Sequence, residues 1–253
     1  MTLKHQSRLP TVPPVAGSID EDYNRQMAAR KWIYVLRGNG ESHSAFGDRM
    51  RGEVSKRLLD LGPSKLSLTL TEGPPPKVAL FPFKSEPTAI FSIHDEQGDP
   101  SRFTEALANA AGELSGYEVE ESYPVEYNKS WNDGEPTPSP ILLTILHRKP
   151  GLDFDEYIKR WHGGHTPLSL EIHPLWYYQR NVIREPITQG ADACDGIVLE
   201  ACPTKSDLLN PARFFGGPLK MVPNMLRVAN DIKGFLDMRK VETFYCTEYH
   251  LRS

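Results

Sequence analysis

The chain switches repeatedly between a two-residue and a nearly four-residue hydrophobic period, and the switches set out its elements. Residues 31–37 (KWIYVLR) are rich in β-branched and aromatic side chains and predict a strand, broken by Gly38 and Gly40. Phe46, Met50, Val54, Leu58 and Leu61 then recur at i, i+4, i+8, i+12 and i+15. That spacing puts them on one face of a helix over residues 44–61, which Gly62-Pro63 stops. Residues 65–72 (KLSLTLTE) alternate strictly, with Leu66, Leu68 and Leu70 on one side and Ser67, Thr69 and Thr71 on the other. This is a strand with one buried face. A strand over 89–94, a helix over 100–114 closed by Gly116 as a C-cap, and an alternating strand over 117–127 follow.

Residues 128–140 (NKSWNDGEPTPSP) are dense in turn formers and read as a linker. The pattern then restarts with a strand over 141–148. Asp153 is a good N-cap, and Glu156 completes a capping-box spacing. Phe154, Tyr157, Ile158 and Trp161 fall at i, i+3, i+4 and i+7, and the helix is expected to end near His165 in His-Gly-Gly-His. Strands over 176–184 and 196–202, a helix over 219–233 that Pro223 starts or kinks, and a strand over 241–251 complete the chain. Both passes run β-α-β-β-α-β, the order of a ferredoxin-like unit. Residues 119–127 also lie over 241–249 at an offset of 122, with five identities in nine positions. The fold class expected is therefore α+β, a duplication of two ferredoxin-like halves whose bare sheet faces pack together or curl into one barrel. The expected divisions are an extended tail over 1–25, an N-terminal half over 26–127, the linker over 128–140 and a C-terminal half over 141–253.

Composition narrows the partners. The 253 residues carry a net charge of −4, which gives no electrostatic case for nucleic acid or an anionic membrane. No apolar run reaches the length of a membrane span, and the first residues lack the apolar core of a secretory signal. Cys194, Cys202 and Cys246, an odd number in strand-like runs, read as buried free thiols in a reducing, cytoplasmic compartment. There is no GxGxxG after a strand, no P-loop and no GxSxG elbow, so nucleotide chemistry is not expected.

Four places in the second half resemble the EthD-domain family of the dimeric α+β-barrel superfamily. They are Lys149-Pro150-Gly151, the helix run Phe154, Tyr157, Trp161, His165, Pro167 and Leu168, the strand run Tyr178, Asn181 and Ile183, and the run Asp231, Phe235 and Asp237. The family usually has one such domain and pairs as dimers, so the resemblance implies that the first half stands in for a partner; further pairing into a homodimer stays open. The first half has Phe46 but no Trp or His at the matching helix positions, which assigns any chemistry to the second half. The superfamily includes cyclases, dehydratases, lactone isomerases and quinone-forming monooxygenases without metal or flavin, and also haem peroxidases. The resemblance implies an activity only as this short list; the aromatic cluster of Trp161, Trp176, Tyr177 and Tyr178 suits a small hydrophobic or aromatic ligand, and no cofactor is expected.

His165 is the first candidate for chemistry, as a base or acid near neutral pH. Its plain alternative is to cap the helix C-terminus. Tyr245 is a candidate assisting acid. Trp161, His162, Tyr178, Arg180 and Asn181 are candidate binding residues, aromatic walls with polar groups to hold a carbonyl or carboxylate. His162 and His165 alone lack the further ligands a metal needs, so no metal is expected. These readings point to a lyase, an isomerase or a cofactor-free oxidoreductase, with a non-catalytic ligand-binding protein as the alternative.

Overall fold

The computed structural model describes residues 30–77 and 82–253; the tail expected over 1–25 lies outside the described residues. Eight strands form one closed barrel: β1 (Arg30–Arg37), β2 (Lys65–Leu70), β3 (Thr88–Asp95), β4 (Glu113–Val125), β5 (Ile141–Leu146), β6 (Tyr177–Pro186), β7 (Gly196–Ala201) and β8 (Glu242–Arg252). Their order around the barrel is β1-β3-β2-β8-β5-β7-β6-β4, with every neighbouring pair antiparallel. The strands of the first part, β4-β1-β3-β2, are joined to those of the second, β8-β5-β7-β6, by the β2–β8 and β4–β6 seams. Closure leaves no sheet edge unpaired.

Strand alternation sends one row of side chains inward and the other under the helices. Ile33, Val35, Ile90, Leu143, Ile197 and Phe244 fill one end of the interior. The same inward rows turn polar toward the other end, where Lys31, Glu121, Gln179, Asn181 and Glu248 are found. Outside the first four strands, Trp32, Phe46, Phe91 and Phe103 pack with no exposed surface. Each fully buried large side chain of this kind contributes about 1.5–3 kcal/mol.

The helix after β1 runs as α1 (His43–Arg49), a π turn (Met50–Val54) and α2 (Ser55–Asp60). Its counterpart after β5 runs as α4 (Phe154–Ile158), a π turn (Lys159–His165) and α5 (Thr166–Ile172). Asp153 caps α4 through its side chain, as its position predicts. The helix does not end at His165, because the π turn carries it through Gly163 and Gly164. The Thr166 N–H donates to the Trp161 carbonyl, five residues back, and Pro167, which has no N–H to donate, falls at the first turn of α5. His165 is therefore mid-helix and has no C-terminal carbonyls to cap.

The helix expected over 100–114 is α3 (Ser101–Leu107), and β4 begins at Glu113. Gly116 is a strand residue opposite Tyr34, not a cap: a Cβ there would lie 2.8 Å from the Tyr34 ring. Two short helices, α6 (Lys205–Leu209) and α7 (Pro211–Phe214), precede α8 (Met221–Ile232) and have no counterpart in the sequence pattern. The nine-residue match between the last strands does not superpose. Val119 faces the barrel interior, whereas Val241, its partner at the offset of 122, lies on the helix side. The linker residues are tethered, with Thr137 bonded to the Glu248 carbonyl through both its N–H and its hydroxyl. No described helix is long and apolar enough to cross a membrane. The thiols are free, and burial pushes those of Cys194 and Cys202 up to about 12; Cys194 lies in the loop before β7 rather than in a strand.

Candidate active site

A cavity of about 220 Å³ lies between the outer face of β5–β8 and the helices that cover it. β5 contributes Leu142, Thr144 and Leu146 to its floor, β6 Tyr178, and β7 Val198 and Glu200. Trp161, His165 and Ser169 face it from the long helix at four-residue intervals, and Val228 and Ile232 face it from α8. Trp161 seats on Gly196: a Cβ at that glycine would lie 2.6 Å from the indole. We expect Gly196→Ala to destabilise the fold by about 1–3 kcal/mol in denaturant unfolding, since the methyl would overlap the indole and force the ring or the strand to shift. Gly163→Ala, with open space at its Cβ, should be neutral or slightly stabilising in the same measurement.

His165 is held from two sides. Its Nδ1 lies 2.7 Å from Asp231 Oδ2 on α8, and its Nε2 lies 3.2 Å from Ser169 Oγ, one turn further along its own helix. Asp231 accepts the Nδ1–H, which leaves Nε2 as the basic nitrogen, with the Ser169 hydroxyl donating to it. His173 donates from Nδ1 to the Phe214 carbonyl at 2.9 Å and stacks on the Phe214 ring at 4.0 Å between centroids. Burial pushes its imidazole down to about 4, so it stays neutral.

Glu200 faces the same cavity. It makes no hydrogen bond or ion pair among the described residues. Burial pushes its carboxyl up to about 7, with nearby His165 acting weakly in the other direction. Among the described lining there is no Lys or Arg, so nothing would neutralise a negatively charged ligand beside Glu200. The remaining walls are mostly Leu, Val, Ile and Phe, with Thr144 and Thr243 adding hydroxyls.

Of the residues picked out from sequence, Trp161, His165 and Tyr178 line this cavity. His162 packs beside the Trp161 ring, with Nε2 unpartnered among the described residues; burial, then the Arg180 charge, pushes its imidazole down to about 4. Arg180 is spent on Ser122 and Thr166 hydroxyls, at 3.1 and 3.0 Å. Asn181 points into the barrel, where it accepts from Lys31 at 2.8 Å and donates to the Ile197 carbonyl at 3.0 Å. Tyr245 lies outside the cavity lining, against Phe83 and under the Lys205 ammonium. Glu200 and Ser169 escaped the sequence reading. The signal for Glu200 was present: it is the lone charge within the apolar strand run GIVLEAC, on the face opposite Ile197 and Leu199.

No group of three or more His, Cys, Asp or Glu side chains among the described residues is arranged to hold a metal ion. A porphyrin does not fit the site, because the space is too small.

No family model matches the chain, and no curated protein matches it. Among solved structures it is similar to an anthrone oxidase-like protein, with a TM-score of 0.55 and 10% identity over 89% of this chain and 94% of that one. A chlorite dismutase variant from Candidatus Nitrospira defluvii also matches at 10% identity over 92% and 96%, with a TM-score of 0.43. The first likeness establishes a shared α+β barrel fold. At this identity it carries the fold alone.

Proposed function

We propose that the protein is an enzyme that moves protons on a small, neutral, hydroxylated aromatic molecule held in the cavity on the outer face of β5–β8. The observation that carries this is the pairing, across one cavity, of His165 oriented by Asp231 with an unpartnered Glu200 whose carboxyl titrates near 7. His165 Nε2 takes a proton from a phenol or an acidic carbon. Glu200, partly protonated near neutral pH, gives one to a ring carbon of the phenolate, or to the carbonyl oxygen beside the deprotonated carbon. The two proton movements balance and amount to an enolisation or tautomerisation, the first step of a cyclisation, dehydration or isomerisation. Trp161 and Tyr178 supply flat walls.

Size selects the ligand. A dry cavity of about 150 Å³ accepts benzene, so about 220 Å³ suits one substituted ring, not a fused polyketide skeleton. The absence of a cation in the described lining favours a neutral ligand over a carboxylate.

We also read the chain as an EthD-like duplication in one polypeptide. The runs β4-β1-β3-β2 and β8-β5-β7-β6 have the same ferredoxin-like order, and the long helix of each half carries a π turn. In the first half Trp32, Phe91 and Phe103 fill the space under the helices, which leaves the site to the second.

A thermal-shift and calorimetric screen of neutral one-ring phenols tests the reading, with product mass and proton exchange at ring carbons followed for each binder. Resorcinol-sized phenols should bind and exchange. Benzoate of the same size should bind at least about tenfold more weakly at the cavity at pH 8, where Glu200 is ionised. Saturable binding with no exchange or turnover for any member would leave a non-catalytic binding protein. No binding at all would sink both readings.

A further inference from the structure

We propose that the polar end of the barrel is a second ligand site, separate from the helix-covered cavity, and that it takes a small hydroxylated aromatic carboxylate. A pocket of about 200 Å³ opens there, walled by the inward rows of β1, β2, β3, β4, β6 and β8. The opposite end of the same interior is packed with Ile33, Val35 and Phe244. An apolar filling was therefore available to this barrel. Replacing buried charges with well-packed apolar groups is often neutral or stabilising, so stability alone does not account for the polar end.

Three groups face the pocket with bonding capacity unused. Lys31 is almost fully buried; its ammonium donates to Glu121 at 2.7 Å and Asn181 at 2.8 Å, which leaves one N–H. The Tyr177 hydroxyl, on a residue only 4% exposed, has no hydrogen-bond partner among the described residues. Glu248, 2% exposed, has the Tyr127 hydroxyl 3.3 Å away, but that hydroxyl lies only 2.5 Å from His250 Nε2. The Tyr127 hydroxyl is the one hydrogen-bond donor recorded for Glu248 among the described residues, which leaves acceptor capacity unused on a carboxylate with two oxygens. A ligand in the pocket would meet this unused capacity with hydrogen bonds of its own.

Charge and shape define the ligand class. At the rim, Lys129 is already paired with Asp133 at 2.8 Å. Lys65 and Arg252 have no carboxylate partner among the described residues, so the rim, which Glu126 and Ser253 also line, keeps two cations free to meet a ligand. Such a rim suits an anion. The walls include Tyr127 and Tyr177, whose rings lie 4.6 Å apart, and these suit an aromatic face. The deep groups, Lys31, Tyr177 and Glu248, suit a hydroxyl, which both donates and accepts. A hydroxybenzoate meets all three requirements, with its carboxylate at the rim and its hydroxyl on the floor.

The test is calorimetric titration of the full chain with 4-hydroxybenzoate at neutral pH, with tryptophan fluorescence in parallel. Trp131 and Trp176 flank Tyr127, at 5.0 and 4.8 Å between centroids, and report on this pocket. Saturable one-to-one binding is expected. It should weaken about 2–10-fold in Tyr177→Phe, which loses one hydrogen bond, and by a similar factor in Lys65→Ala. Glu200→Gln, at the other cavity, should leave it unchanged. Both Tyr177→Phe and Lys65→Ala keep the Lys31–Glu121 pair intact, so loss of fold does not confuse the result. Absence of saturable binding to the folded protein, binding indifferent to both barrel variants, or binding lost in Glu200→Gln would each overturn the proposal.

Discussion

His165→Asn should lower turnover of an accepted phenol by about 10²–10⁴-fold while leaving its binding nearly unchanged. The reason is geometric. Nε2 of His165 is the basic nitrogen in the cavity that is fixed in tautomer, by Asp231 on one side, and in direction, by Ser169 on the other. Asparagine can keep a hydrogen bond to Asp231 but cannot accept and release a proton at neutral pH. Asp231→Asn should give a smaller loss and a changed pH–rate profile, because the ring would remain but its tautomer would no longer be imposed. Steady-state rates across pH, with calorimetric binding in parallel, separate the two effects. Equal rates in wild type and His165→Asn would remove the histidine from the chemistry.

Glu200→Gln should stabilise the protein, and the gain should grow with pH. In the folded chain the Glu200 carboxyl is pushed up to about 7 from an ordinary value near 4.5. Between those limits the folded state binds more protons than the unfolded one, so this residue's contribution to stability falls as pH rises through the window. The displacement corresponds to about 3 kcal/mol, and water admitted to the cavity reduces it to about 2–3. His173 works the other way. Its imidazole is held near 4, so its contribution rises with pH up to the ordinary histidine range. The difference between Glu200→Gln and wild type cancels His173 and the other titrating groups. That difference, from urea unfolding, should be small at pH 4.5 and reach its plateau above pH 7. A flat difference across this range would mean that Glu200 has a partner or open water in the folded state.

Much of the frame was legible in the chain. The strict alternation of Leu66, Leu68 and Leu70 marks β2, and the four-residue recurrence of Phe46, Met50, Val54 and Leu58 marks the first long helix. Local pattern failed where a neighbour far along the chain decides the backbone. Gly116 has the look of a helix cap, yet it is needed because the Tyr34 ring crosses the strand there. Gly163 and Gly164 read as a helix end, and the π turn carries the helix through both. The match between residues 119–127 and 241–249 placed like letters together on strands whose faces point opposite ways. A strand's two faces differ by a single residue of register, which letter identity does not weigh.

The helix from Phe154 onward shows the same division for the site. Sequence alone determined that its aromatic stripe would be buried and that Asp153 would cap it, because these follow from side-chain spacing along one element; that His165 stays on the face of Trp161 depended on the π turn carrying the helix through Gly163 and Gly164. Only the tertiary structure decided that Asp231, 66 residues away, would bind the Nδ1 of that histidine, and that Glu200 would face it from the sheet without a partner. It also withdrew Arg180 and Asn181 to other partners and left Tyr245 beside the cavity instead of in it. Chemistry at a site depends on which polar groups meet and which are left unpaired. That is settled by closure of the barrel, which brings β7, α8 and the long helix around one space.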